Sequence, residues 1–143
     1  MTAILFVHLI TIGMWAGCVA TEAVLEIALE KRPPLESSLA AIHAYIDRFV
    51  EIPAIIVTLI TGGLLLSHAT WDPLLYLKVS LGLTAVVVNS VAAYTVHRRL
   101  QCLNAGDMVG YTKFDRLHAR IGVGCILSIT GAILVGGYRI TGG

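Results

Sequence analysis

The residues of this chain that can do chemistry are ionisable side chains set in otherwise apolar sequence. All five histidines lie in or beside long apolar runs: His8, His43, His68, His97 and His118. Imidazole is a common ligand of haem iron and of transition metals. An ionisable group inside a membrane helix is costly, so it marks a functional site by default. The histidines therefore predict a metal or haem site inside apolar helices.

Polar and small residues follow these histidines in steps of three and four, which places them on one face of a helix. The first such face holds His8, Thr11, Trp15, Cys18, Glu22 and Glu26. The second holds His43, Asp47, Glu51, Ala54, Thr58, Thr61 and Leu65. The third holds Lys78, Gly82, Ala85, Asn89 and Ala93, and the fourth holds His118, Gly122, Cys125 and Ile129. Four such faces turned inward predict a bundle with a functional interior.

The elements that must position these residues are membrane helices. The 143-residue chain is 57% hydrophobic and 13% charged, whereas soluble domains carry roughly 25% charged residues. Lipid is the natural solvent for the excess apolar surface. We predict an all-α membrane protein, a four-transmembrane-helix bundle that forms a single domain over residues 1–143. The segments run over about 3–29, 39–67, 74–97 and 117–138, each long enough to cross roughly 30 Å of hydrocarbon.

The basic residues predict the orientation of these segments, because cytoplasmic loops are enriched in Lys and Arg. The first loop carries Lys31 and Arg32, and the second carries no basic residue. The third region carries Arg98, Arg99, Lys113 and Arg116. We expect an up-down topology with loops one and three in the cytoplasm and both termini on the outer side of a bacterial-type inner membrane. Because no basic n-region precedes the first segment, we expect it to stay as a membrane helix rather than act as a cleaved signal.

Depth along the predicted helices sorts the candidate ligands into two layers. His8 and Lys78 share an outer level, whereas His43, His97 and His118 share an inner level. The layers would lie about 20 to 25 Å apart at the helical rise per residue. These five residues are our candidate haem b ligands and neighbours, with His8, His43 and His118 as ligands of iron in one or two haems. His68, at or beyond the outer boundary, ranks below His8.

Each of these residues also has a structural interpretation. A single histidine can serve as a hydrogen-bonded packing group, and Lys78 can snorkel outward. Asp47 and Glu51 can belong to an intrahelical ion-pair cluster. Asn89 is expected to hydrogen-bond a neighbouring helix, and Pro53 is expected to kink the second segment.

Two stretches resemble a known family. Val7-His8-Leu9-Ile10-Thr11-Ile12-Gly13-Met14-Trp15-Ala16-Gly17 resembles the first helix of the HemJ-type protoporphyrinogen oxidases and the CopD-like membrane proteins. Tyr76-Leu77-Lys78-Val79-Ser80-Leu81-Gly82 resembles the HemJ-type helix that opens with a lysine. The resemblance implies haem b with His8 and Lys78 as its functional pair. The match covers about a third of the chain, and the family pattern does not account for His43, His97 and His118.

Three functions remain open at this stage. The first is a b-type cytochrome that relays electrons, alone, as a homo-oligomer or as a subunit of a larger membrane complex, with quinone as a partner. The second is a HemJ-type porphyrinogen oxidase, with a porphyrin as substrate. The third is a non-redox accessory subunit or transporter. The net charge of +1 gives no basic field for nucleic acid. Nucleotide-binding motifs and the C-x-x-C of thioether haem attachment are absent from the sequence.

Overall fold

The computed structural model describes residues 1–29 and 36–142, and their secondary structure is helical. The helices are α1 (Thr2–Leu29), α2 (Glu36–Ile46), α3 (Ile52–Leu66), α4 (Pro73–Asn104) and α5 (Met108–Ile140), with a π-helical turn (Asp47–Glu51) that joins α2 to α3. Four continuous helices are long and apolar enough to cross a membrane: Thr2–Leu29, Ser38–Leu66, Pro73–Asn104 and Met108–Ile140. These four spans confirm the predicted class of fold. Lys31 and Arg32 of the first loop lie outside the described residues.

The helices face outward with apolar side chains and inward with polar ones. Within the most apolar stretch of each span, only 17–22% of the residues are buried, and Phe6, Ile60 and Leu127 are among the exposed large side chains. Water would be a poor solvent for such a surface, whereas lipid matches it. Apolar side chains on the outer surface and polar side chains in the interior are the arrangement that a bilayer requires.

The third and fourth spans are longer than the sequence pattern predicted. The α4 helix continues past His97 to Asn104, and α5 begins at Met108 rather than near residue 117. No helix-breaking residue intervenes before Gly106, which adopts a positive φ of 72° in the turn. The Asp107 carboxylate then caps α5 by accepting from the Gly110 N–H at 2.9 Å. The polar stretch between the two apolar segments is thus mostly helical.

Pro53 explains the π-helical turn that precedes it. Because proline has no N–H, it cannot complete the regular hydrogen bond to the carbonyl four residues earlier. The Ile52 N–H instead reaches the Asp47 carbonyl, five residues back. Such turns often occur at functional sites, and this one carries the buried side chains of Asp47 and Glu51.

The apolar core lies at mid-bundle and joins all four spans. Its buried members are Trp15, Val19, Ala54, Ile55, Ala85, Cys125 and Ile129. Beyond it, Arg139 of α5 ties to the N-terminus of α4 through a two-pronged contact. Its Nε and Nη2 donate to Asp72 Oδ2 at 3.0 and 2.9 Å. Asp72 also caps α4 by accepting from the Leu75 N–H at 2.8 Å.

Candidate functional site

The buried polar side chains form a row along the interior of the bundle, from one end to the other. Beginning beside the Asp72–Arg139 contact and ending at the opposite end, they are His8, Thr61, Thr58, Thr11, Asn89, Glu51, Asp47, Glu22, His43, Arg99, Thr95 and His118. We call the two ends the His8 end and the Arg99 end. Buried polar groups in lipid are costly unless they are paired, so each must be accounted for by its partners.

At the His8 end, a threonine fixes the state of the His8 ring. The Thr61 hydroxyl donates to the Val57 carbonyl at 2.7 Å, which uses its only hydrogen. The Thr61 oxygen lies 2.9 Å from His8 Nδ1 and, with its hydrogen directed to Val57, is placed to accept from that nitrogen. We infer that neutral His8 carries its proton on Nδ1 and leaves Nε2 as an unprotonated nitrogen with a free lone pair. This is the state that a metal or haem ligand requires.

The His8 ring also packs against Gly62 and lies near Lys78. A Cβ added at Gly62 would come 3.1 Å from His8 Cε1, so the glycine allows the ring to lie against α3. The Lys78 ammonium is close enough to act electrostatically on His8. Its methylene stem passes Gly136, where a Cβ would lie 2.9 Å from Lys78 Cε. His8 and Lys78, which the sequence placed at one level, therefore lie in one neighbourhood.

Asn89 organises the middle of the row. Its Oδ1 accepts from the Trp15 indole N–H at 3.1 Å and from the Cys125 thiol at 3.1 Å. Because the indole nitrogen can only donate, the amide orientation is fixed. The Asn89 Nδ2 then donates to Glu51 Oε2 at 3.0 Å. Asn89 bonds three spans, as the structural interpretation of this residue expected.

Three carboxyl groups gather beside Asn89. One oxygen from each of Glu22, Asp47 and Glu51 lies within 4.8 Å of the others, and all three side chains are buried. We call this group the carboxylate cluster. Glu22 Oε1 and Glu51 Oε1 have no hydrogen-bond partner. Like charges this close in a low dielectric require protons or a cation to be stable.

Arg99 organises the opposite end. Its Nη1 donates to Glu26 Oε1 at 2.6 Å and to Asp115 Oδ1 at 2.8 Å. Its Nη2 lies 3.1 Å from His43 Nδ1, and a guanidinium can only donate. His43 Nδ1 is therefore an acceptor, which places the proton of neutral His43 on the fully buried Nε2. That Nε2 has no hydrogen-bond partner.

His118 repeats the arrangement of His8. The Thr95 hydroxyl donates to the Ala92 carbonyl at 2.7 Å, and its oxygen lies 3.1 Å from His118 Nδ1. By the same argument, Nε2 of neutral His118 keeps its lone pair. The rings of His118 and His43 are 6.0 Å apart between centroids, and Glu26 completes a group whose ligand atoms lie within 4.8 Å of one another.

The structure brings some of the predicted site residues together and leaves others apart. His8 meets Lys78 at one end, and His43 meets His118 at the other. His97 is exposed on α4, and its Nε2 contacts Gln101 of the same helix at 2.9 Å. His68 is exposed just beyond α3. Neither exposed histidine joins the buried groups.

Sequence reasoning missed Arg99, Asp115 and Thr95 as members of the interior. Arg99 continues the third polar face, since Asn89, Ala92, Val96 and Arg99 follow in steps of three and four. Asp115 precedes His118 by three residues, one turn away on the same face. These signals were readable, but the predicted ends of the third and fourth segments assigned both charged residues to a loop.

His8 and His118, at opposite ends of the bundle, are the histidines whose surroundings suit ligation of a metal. Each offers an unprotonated Nε2 held by a threonine hydroxyl on Nδ1, as the second coordination shell of a metal-bound histidine requires. His43 fits less well, because the Arg99 guanidinium occupies its Nδ1 as a donor.

Comparison of the chain with protein-family models, with curated proteins and with solved structures gave no match.

Proposed function

We propose that this chain is an integral membrane b-type haem protein that relays electrons, in which His8 would hold the haem iron. The observation that carries the proposal is the Thr61 hydroxyl 2.9 Å from His8 Nδ1. It favours the tautomer in which Nε2 keeps its lone pair, and it orients the ring. A haem bound here would supply one-electron carriage, with its potential set by its ligands, burial and nearby charge.

His118 supports a second haem-binding position at the Arg99 end. Its Nδ1 is held by Thr95 as His8 is held by Thr61. His43 would join it as a ligand only if its proton moved from Nε2 to Nδ1. The Nδ1–H would then donate to Glu26 Oε1, which lies 3.5 Å away. Arg99 opposes that change because it already donates to the same nitrogen. The proposal therefore ranks His118 above His43.

The proposed topology is up-down, with the Arg99 end in the cytoplasm and both termini outside a bacterial-type inner membrane. Exposed basic residues at the start of α5 support this orientation under the positive-inside rule. Lys113, Arg116 and Arg120 line an open groove on that helix together with apolar neighbours. Three cations beside apolar side chains suit the headgroup level of an anionic leaflet.

A HemJ-type porphyrinogen oxidase is the second candidate function, and Lys78 is the observation that favours it. A lysine that lies partly buried within a membrane span is costly, and Lys78 acts electrostatically on His8. The pair would bind and orient an oxidisable tetrapyrrole beside the haem. A Lys78→Met variant separates the two functions. The oxidase predicts loss of porphyrinogen oxidation with haem retained, whereas the relay predicts that haem is retained and still reduced and reoxidised, with a shifted potential because a nearby charge is removed.

The experiment for the main proposal compares two histidine variants of the full chain purified in mild detergent. We expect His8→Ala to lose haem, because it removes the ligand. The matched control, His97→Ala, removes an exposed histidine and should retain wild-type haem content. Equal haem content in the two variants would contradict ligation by His8.

A further inference from the structure

We propose that Glu22, Asp47 and Glu51 form a binding site for one divalent metal cation of the kind that prefers oxygen ligands, such as Mn²⁺ or Mg²⁺. The site is separate from the histidines proposed to bind haem, and its test does not depend on haem. It follows from the geometry, the unpartnered oxygens and the charge balance of the carboxylate cluster.

The geometry of the cluster is that of converging ligands. The relative exposures of Glu22, Asp47 and Glu51 are 8%, 7% and 2%, and one oxygen from each lies within 4.8 Å of the others. Two spans supply these oxygens, Glu22 from α1 and the other two from the π-helical turn. Carboxylates of solvated helix faces diverge into water, whereas these three converge in the interior.

The unpartnered oxygens belong to Glu22 and Glu51, one from each of the two spans. Asn89 donates to Glu51 Oε2, and the Trp15 indole fixes the orientation of that amide. Glu51 Oε1 is therefore the oxygen left to the cluster, and it has no hydrogen-bond partner. Glu22 Oε1 is likewise buried without one. Oxygens in this state are costly in a bilayer interior unless they take up a cation or a proton.

Within the described part of the chain, the charge of the cluster is not balanced by basic side chains. The Arg99 guanidinium acts electrostatically on Glu22 and Asp47, but it is committed to Glu26 and Asp115 at 2.6 and 2.8 Å. Among the residues that the structure describes, no Lys or Arg forms an ion pair with the cluster itself. A divalent cation would cancel two of the three charges, and one proton would cancel the third.

The donor set selects the class of metal. Carboxylate oxygens suit Mg²⁺, Mn²⁺ and Ca²⁺, whereas thiolate and imidazole favour copper and zinc. The Cys125 thiol beside the cluster is bonded to Asn89, so it is not one of the three converging ligands. Mn²⁺ is the useful probe because its free aqua ion gives an EPR signal that disappears on binding.

The test is an EPR titration of Mn²⁺ into the full-length protein, stripped with a chelator and held in mild detergent. We expect about one Mn²⁺ per chain in the wild type. Glu51→Gln keeps the shape of the side chain and an acceptor for Asn89, yet removes a ligand charge. We expect it to weaken binding by at least about tenfold, the scale seen when metal sites lose a partner. Glu22→Gln should do the same from the other span.

Asp72→Asn is the matched control, because it removes one carboxylate at the far end of the bundle. It should bind Mn²⁺ as the wild type does. Absence of Mn²⁺ binding in folded wild type would overturn the proposal, and so would wild-type affinity in Glu22→Gln and Glu51→Gln. Either result would mean that protons hold the carboxyls together. Haem content is measured alongside, so loss of Mn²⁺ with haem retained tests this site without testing the haem proposal.

Discussion

The Thr61 hydroxyl lies 2.9 Å from His8 Nδ1 while donating its own hydrogen to the Val57 carbonyl at 2.7 Å. The threonine therefore acts on the histidine as an acceptor and fixes its tautomer. Thr95, on a different span, makes the same pair of contacts with the Ala92 carbonyl and with His118 Nδ1. Two histidines at opposite ends of one bundle thus keep a free Nε2 by the same device, which is the basis of the haem proposal.

Replacing Thr61 with valine tests whether the Thr61 hydroxyl orients His8. Valine keeps the branched shape but cannot accept from Nδ1, so the His8 ring loses its orienting bond. We expect the affinity for haem to fall by about 10- to 100-fold, as for loss of other partners of metal-bound histidines. Haem titration into the apoprotein measures it. Thr84→Val, at an exposed position of α4, is the control, and equal affinities in the two variants would contradict the role of Thr61.

Two adjacent glycines provide a test of the packing around His8. An alanine Cβ at Gly62 would meet His8 Cε1 at 3.1 Å, whereas a Cβ at Gly63 would meet nothing within 4 Å. We expect Gly62→Ala to push the ring by a few tenths of an ångström, because that contact is tighter than ordinary packing. The Soret band of the haem form should then shift in Gly62→Ala and stay in place in Gly63→Ala. A shift of the same size in both would show that it does not arise at His8.

Removing the Arg99 guanidinium should destabilise the bundle. Arg99→Met fills similar space but leaves Glu26 and Asp115 without their cation. Breaking a buried ion pair from one side costs roughly 3–5 kcal/mol. We expect about 3 kcal/mol, the lower end of that range, because the two carboxylates are 21% and 31% exposed.

Unfolding in detergent by a denaturing surfactant measures this loss. The neighbouring Arg98→Met removes a cation that donates to exposed Gln101, and it should cost less than about 1 kcal/mol. Adding Glu26→Gln and Asp115→Asn to Arg99→Met should restore part of the stability. Equal stabilities of Arg98→Met and Arg99→Met would contradict the network.

The Asp72–Arg139 contact predicts a pH dependence outside the membrane spans. The Leu75 N–H, and after it the Arg139 guanidinium, hold the pKa of the Asp72 carboxyl below its ordinary value of 3.8. A lowered pKa in the folded state stabilises at pH values above 3.8, and the contribution is lost as the pH falls through the folded value.

The measurement is the melting temperature of the wild type and of Asp72→Asn, from neutral pH down to the lowest pH at which the protein stays folded. We expect the wild type to melt higher at neutral pH and the two curves to converge as Asp72 is protonated. A difference in melting temperature that stays constant with pH would mean that the charge of the Asp72 carboxylate contributes nothing to stability.

The class of fold and most inward faces could be predicted from the sequence. Steps of three and four placed His8, Thr11, Trp15 and Glu22 on one face of the first span, and all four are buried. This succeeds because the period of a helix is fixed, and because lipid forces polar groups inward.

The ends of the spans and the partners of each side chain were harder to predict. Arg98 and Arg99 look like the end of a membrane helix, yet the helix continues, and Arg99 turns inward to acids on α1 and α5. Only the packing of three spans reveals that a basic residue has those partners. The tautomers of His8 and His118 also depend on contacts between residues far apart in sequence.

Only part of the carboxylate cluster could be predicted from the sequence. Asp47 and Glu51 stood on one face and were interpreted as part of an intrahelical cluster. Glu22 shared a face with Glu26 on the first segment, and no sequence signal linked it to Asp47 and Glu51. Their convergence depends on how α1 packs against the π-helical turn, for which the periodicity of a single helix gives no signal.

The most direct test of the haem proposal is a dithionite-reduced minus oxidised visible spectrum, with a pyridine haemochrome assay, on the wild-type protein purified in mild detergent. The proposal predicts sharp reduced α and Soret bands and haem b near one or two per chain. Folded protein that was expressed with ample haem supply and carries no haem would contradict it. The histidines would then be packing groups, and the bundle would have a function other than electron relay.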